Sequence, residues 1–188
     1  CGQQIGDSGG GGARSAVSLI VRHEEGPFKV KVTYLSMEEI QEAVAFEISE
    51  STDAIDLLSS HGELELSPIQ SDALASLLIA PQKAATNEIK IEDLQPRFRD
   101  LIRAGKAEQS FKASNSEALV RYIAEHSDSS GIYWRITKEV EVAGPFQGLQ
   151  TGIEIMDLPG FGDMDEVRLL KVRKALERVH QVIVVTDE

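Results

Sequence analysis

Val30, Val32 and Tyr34 alternate with Lys31 and Thr33, the period-2 signature of a half-buried strand. A second apolar-rich run, Ser15 to Val21, precedes it, and Glu25-Gly26-Pro27 between the two supplies turn residues. The pair reads as an antiparallel hairpin over Ser15–Val21 and Phe28–Leu35. At Ser36 the spacing switches to that of a helix. Ser36 and Glu39 have capping-box spacing, and Ile40, Val44 and Ile48 fall along one helical face. Ser67-Pro68-Ile69-Gln70 repeats the start signal with proline at the first helical position, and that helix stops before Pro81. Further helices are expected at about 92–104 and 115–126, the latter opened by Ser114, Asn115 or Ser116. After Gly131 the strand pattern returns. Ile136–Val142 and Gly152–Met156 read as strands around the Gly144-Pro145 break. Residues 165–179 have helical spacing, and Val182–Val185 is a short apolar run suited to a strand covered on both faces.

The expected organisation has three parts: a loop and hairpin over 1–36, a mainly helical insertion over 37–130, and strand, helix and strand over 131–188. The strand, helix, strand order at the end implies a right-handed crossover and a parallel sheet. The fold class is therefore α/β.

Composition narrows the class only a little. The chain has 188 residues, 41% of them apolar, enough for one domain with a sizeable core. Its apolar runs are shorter than the roughly 20 residues that span a bilayer. A lone cysteine excludes an internal disulfide and suggests a reducing, intracellular setting, cytoplasmic or nuclear. The net charge is −12, and it is uneven: Val32 to Gln82 contains no lysine or arginine but holds Glu38, Glu39, Glu42, Glu47, Glu50, Asp53, Asp56, Glu63, Glu65 and Asp72. Such a stretch repels phosphate backbones, so it is no nucleic-acid surface. It is either a solvated helical face or a docking face for a basic protein partner.

The chemistry concentrates in Ile153-Glu154-Ile155-Met156-Asp157-Leu158-Pro159-Gly160. An apolar strand that delivers an aspartate at its carboxyl end, with glycine three residues later, suits a nucleotide-hydrolysing switch. The carboxylate reaches the magnesium shell, usually through water. Gly160 has no side chain, so its N–H can approach a γ-phosphate and swing away after hydrolysis. An ordinary strand-to-turn exit uses the same residue types. His23, His61, His126 and His180 lack metal-ligand spacing and read as structural or surface residues, and Tyr133 and Trp134 read as packing.

The block Tyr133 to Val142, then Gly144-Pro145-Phe146, then Thr151 to Asp163 resembles dynamin-like large GTPases, and among them the group resembling the nuclear GTPase SLIP-GC and its fungal relatives. Gly9 to Val17 with the following strands resembles that group's first switch, with Ser15-Ala16-Val17 where the group has Thr-Ala-Val. The resemblance implies a partial P-loop GTPase sheet, mostly parallel with an antiparallel hairpin, carrying a helical insertion. It implies GTP as substrate, Mg2+ as cofactor and self-association through the GTPase domain. It makes Ser15 the hydroxyl that ligates magnesium and helps hold the attacking water, Asp157 the magnesium-shell carboxylate, and Gly160 the γ-phosphate contact. Phe161 stands where small GTPases have a water-orienting glutamine.

Two departures qualify that assignment. The 188 residues contain no Gly-x-x-x-x-Gly-Lys-[Ser/Thr] loop to cradle phosphates and no Asn/Thr-Lys-x-Asp to read guanine. The order of the remaining motifs points to a fragment cut at both ends. The alternative is a catalytically inactive GTPase-like module whose acidic helices bind a protein. A third reading takes Cys1 and the glycines after it as the start of a lipid-anchored protein.

Overall fold

A computed structural model describes residues 17–43, 77, 89–159, 172–173 and 175–184. The chain divides into two compact units, one of Cys1–Thr33 with Glu108–Glu188 and one of Tyr34–Ala107.

The first unit is built on a five-stranded mixed sheet. Its strands are β1 (Ser18–His23), β2 (Phe28–Tyr34), β3 (Lys106–Phe111), β4 (Thr137–Gly144) and β5 (Glu154–Asp157), in the spatial order β3-β2-β4-β1-β5. β1 runs parallel to β4, with Ser18 opposite Glu139 and Val21 opposite Val142. It runs antiparallel to β5, with Leu19 opposite Asp157 and Val21 opposite Ile155. On the far side of β4, Phe28 lies against Gly144 and Lys31 bonds Glu141. Residue numbers thus rise along one strand as they fall along the other, so β2 and β4 are antiparallel.

The alternation in Val30 and Val32 is borne out, since both are fully buried with Lys31 between them at the surface. The hairpin is not. β1 and β2 are joined by the expected turn, with Gly26 at φ 107°, but β4 lies between them as their common neighbour. Alternation fixes which face a side chain takes and says nothing about which strand supplies the hydrogen bonds. β4 suits a central position because Val140, Val142 and Ala143 are all buried.

Ser116–Ser127 forms the helix expected near 115–126, with Asn115 at its N-cap. It packs on β4 through one face, where Leu119 and Ile123 are buried one turn apart. Its last carbonyls are taken up by the returning chain: Asp128 N–H bonds the Ala124 carbonyl at 3.0 Å and Tyr133 N–H the Glu125 carbonyl at 2.9 Å. Gly131 sits so close to that helix end that a β-carbon would stand 2.5 Å from the Glu125 oxygen.

In the second unit, residues 37–43 are helical and open on the predicted capping box. The Ser36 N–H donates to Glu39 Oε2 at 2.9 Å, and the Glu39 N–H donates to Ser36 Oγ at 3.2 Å. Ile40 is fully buried as its face required, whereas Val44, Ile48 and the helix from Ser67 lie outside the described residues. A 3-10 turn at Ile91–Asp93 leads to a helix over Pro96–Ala104 that buries Phe98 and Ile102. Pro96 sets the helix start later than position 92 because it fits the first helical residue, and Gly105 at φ 67° ends it.

Two expectations need correction, and one strand was not foreseen: within 37–130, read as mainly helical, β3 lies at the sheet's edge. Its composition, Lys-Ala-Glu-Gln-Ser-Phe, has no apolar alternation because five of its six residues face solvent wholly or partly. The sheet is mixed where a mostly parallel one was expected. And residues 181–184 form no strand: Val182, Ile183 and Val184 are 59%, 89% and 70% exposed. An apolar run becomes a strand only where a neighbour satisfies its backbone, and among the described residues none does so here. The crossover that ended in that strand is therefore not formed among the described residues. No described helix is long and apolar enough to cross a membrane.

Candidate functional site

The antiparallel register of β5 on β1 decides where the Asp-Leu-Pro-Gly turn goes. Asp157, the last residue of β5, pairs with Leu19 near the start of β1. The chain reaches β1 through Val17, which is fully buried, and Ser18, which is nearly so. Ser15 lies two residues before Val17 and outside the described residues, as do Gly160 and Phe161. Asp157 itself is exposed, and Pro159 beyond it is buried.

On the other side of β1, Glu139 stands opposite Ser18. Its side chain is only 16% exposed and accepts a hydrogen bond from Arg178 Nη1 at 2.5 Å. Adjacent residues of a strand face opposite ways, so Ser18 and Glu139 project from one face of the sheet, and Leu19 and Asp157 from the other. Sequence reading missed both Glu139 and Arg178. They are 39 residues apart, and neither belongs to a local motif.

Chemically, a single exposed carboxylate at a strand end can hold a cation through water but cannot enclose it, because hard divalent ions need several oxygens. Among the described residues no group of three or more His, Cys, Asp or Glu side chains is arranged to hold a metal.

The opposite end of the sheet carries a separate polar cluster. His23 Nδ1 lies 3.1 Å from the Phe146 carbonyl and Nε2 lies 3.2 Å from Glu25 Oε1. Lys29 bonds Glu24, and that bond holds the Glu24 carboxyl below its ordinary value, with partial burial opposing it. The rings of Phe28 and Phe146 meet edge to face at 5.4 Å beside it. These contacts seal the turn between β1 and β2 onto the end of β4, where Glu24 N–H reaches the Gly144 carbonyl at 2.8 Å.

His126 is buried in a column of rings. It meets Tyr122 at a tilt, 4.5 Å away, and stacks 5.0 Å from Tyr133, with Phe111 beyond at 5.5 Å from Tyr122. Trp134 is buried as well. Tyr133 and Trp134, expected to pack, lie against neighbouring side chains, and His126, read as a structural or surface residue, is buried.

Compared with models of protein families and with curated proteins, the chain shows no match.

Proposed function

We propose that this chain is the switch-bearing part of a large dynamin-like GTPase, and that the phosphate loop and the guanine-reading motif are carried on sequence outside these 188 residues. The observation that carries the reading is the pairing of Asp157 with Leu19. It sets the end of the strand that resembles the second switch beside the start of the strand that follows Ser15. A GTPase needs this proximity, because one magnesium ion must be reached from both switches.

In the proposed mechanism the Asp157 carboxylate and the Ser15 hydroxyl would hold magnesium, and Ser15 would also help hold the attacking water. The Gly160 N–H donates to the γ-phosphate. Magnesium would neutralise charge on the phosphate oxygens. Phe161 cannot orient water, so that task falls to other groups of the switches. The P-loop type of the sheet, the helical insertion, self-association through the GTPase domain and an intracellular location, cytoplasmic or nuclear, belong to the same proposal.

The test is GTP hydrolysis by the intact protein. Asp157→Ala removes a magnesium-shell carboxylate, so the rate should fall by about 100-fold or more while the fold survives, because Asp157 is exposed. Phe161→Leu should leave turnover close to parental if the ring only packs. Parental rates in both variants, with unchanged thermal melts, would make Asp157 a turn residue and remove the reading.

A further inference from the structure

We propose that Arg135 is a recognition residue for phosphate oxygens, set at the end of the sheet where Asp157 lies. That the phosphate belongs to GTP rests on the reading above; the anion site itself does not. Arg135 lies two residues before β4, which begins at Thr137. β4 is parallel to β1 and β5 antiparallel to it, so the start of β4 and the end of β5 share one end of the sheet. The backbone at Arg135 is held firmly. The Tyr133 carbonyl accepts from the Ile136 and Thr137 N–H groups, each at 3.1 Å, and from Thr137 Oγ1 at 2.8 Å. Trp134 and Ile136, on either side of Arg135, are buried.

The charge of this side chain is not met by a carboxylate. Asp and Glu outnumber Lys and Arg by 31 to 19, and Lys29, Lys31, Arg103 and Arg178 all pair with acidic side chains. Among the described residues, Arg135 Nε is buried with no hydrogen-bond partner, and no acidic side chain pairs with the guanidinium. Its neighbour is the Trp134 ring, whose centroid lies 5.2 Å from the guanidinium carbon. A ring face attracts the charge yet offers the planar fork of donors no oxygen. Arg97 also lies over a ring, that of Phe98 at 4.7 Å, but it is exposed and water can satisfy its donors. Arg135 is half-buried, and a buried donor without a partner is costly and uncommon. An oxyanion relieves that cost, because two of its oxygens match two guanidinium donors. Phosphate suits this end of the sheet better than a carboxylate ligand, since it can also share a divalent cation with Asp157.

Trp134 is the only tryptophan of the 188 residues, so its fluorescence reports on the guanidinium beside it. In the 188-residue chain, pyrophosphate added at constant ionic strength should change that fluorescence along a saturating curve. Its midpoint should be about 1 mM, the strength of one or two charge-assisted contacts. Calorimetry should show GTP binding in the same range and guanosine not binding. Arg135→Gln should abolish the pyrophosphate change or move its midpoint about tenfold upward. Arg135→Lys should fall between, because an ammonium keeps the charge without the fork. Urea midpoints check that each variant is folded, and if Arg135→Gln is not, Arg135→Lys decides. A parental pyrophosphate midpoint in the deciding variant overturns the site, and so does the absence of both fluorescence change and heat in the parent. Acetate binding at the pyrophosphate midpoint overturns the choice of phosphate. In the intact protein, Arg135→Gln should raise KM for GTP about tenfold, and a parental KM overturns GTP as the source of the phosphate. If Asp157→Ala hydrolyses GTP at the parental rate, the GTPase reading fails while the pyrophosphate titration still stands, so the two failures are told apart.

Discussion

Gly144 ends β4 directly against the Phe28 ring. A β-carbon there would stand 2.2 Å from Phe28 Cδ1, closer than any side-chain atom tolerates. The ring cannot withdraw freely, because it also meets Phe146 edge to face. Gly144→Ala should therefore lower stability by about 1–3 kcal/mol, read from a denaturant midpoint, and Phe28→Leu in the same chain should return part of it. An unchanged midpoint would mean the ring has somewhere else to go. The residue type was legible in the sequence as a strand breaker, but its actual partner, far away in the chain, was not. His126 gives a second residue-scale expectation. Burial pushes its imidazole below the ordinary value of 6.5, and the Tyr122 carbonyl and Glu125 oppose the shift. In the unfolded chain the ring takes up a proton as the pH drops through 6.5, while the folded chain resists. The stability present above that value is thus lost as pH falls towards the folded pKa, with a slope of at most about 1.4 kcal/mol per pH unit. Urea midpoints at about pH 7.5 and pH 5.5 should separate by more in the parent than in His126→Gln. Equal separations would show that the ring titrates alike in both states.

Among the elements, the two edge strands contrast. β3 shows solvent Lys106, Glu108, Gln109 and Ser110, charged and polar groups that discourage further pairing. β5 shows Ile153, just before it, and Ile155, at 54% and 52% exposure. Ile155→Lys should then leave stability within about 0.5 kcal/mol and lower the proposed self-association, read by light scattering. A drop of several degrees in melting temperature would instead show that Ile155 is packed. Local signals predicted elements well where the physics is local. The Ser36–Glu39 capping box closed as its spacing required, and Pro96 and Gly105 bounded their helix. β3 had no such signal because an exposed edge strand needs no apolar face, and its hydrogen bonds come from a distant strand.

Across the whole molecule, the proposed GTPase site would need groups from several loops. The 188 residues contain Asp157 and Ser15 but no Gly-x-x-x-x-Gly-Lys-[Ser/Thr], so the lysine and backbone donors for the β-phosphate are missing from them. Calorimetry of these residues alone with GTP and magnesium should show no binding at micromolar nucleotide, and tight binding would reveal a complete site of another design. The acidic stretch from Glu38 to Asp72 and the net charge of −12 are properties of the sequence that no folding can remove. So are the Ser36–Glu39 capping box and the start of the helix at Pro96, because each is fixed by residues within a few positions of one another. Tertiary structure alone decided that β4 would separate β1 from β2 and that β5 would run antiparallel to β1. It also decided that Asp157 would lie at the start of β1, with Glu139 and Arg178 beside it. Strand order and register are chosen by which backbones and faces can be satisfied together, and that is a property of the assembled sheet.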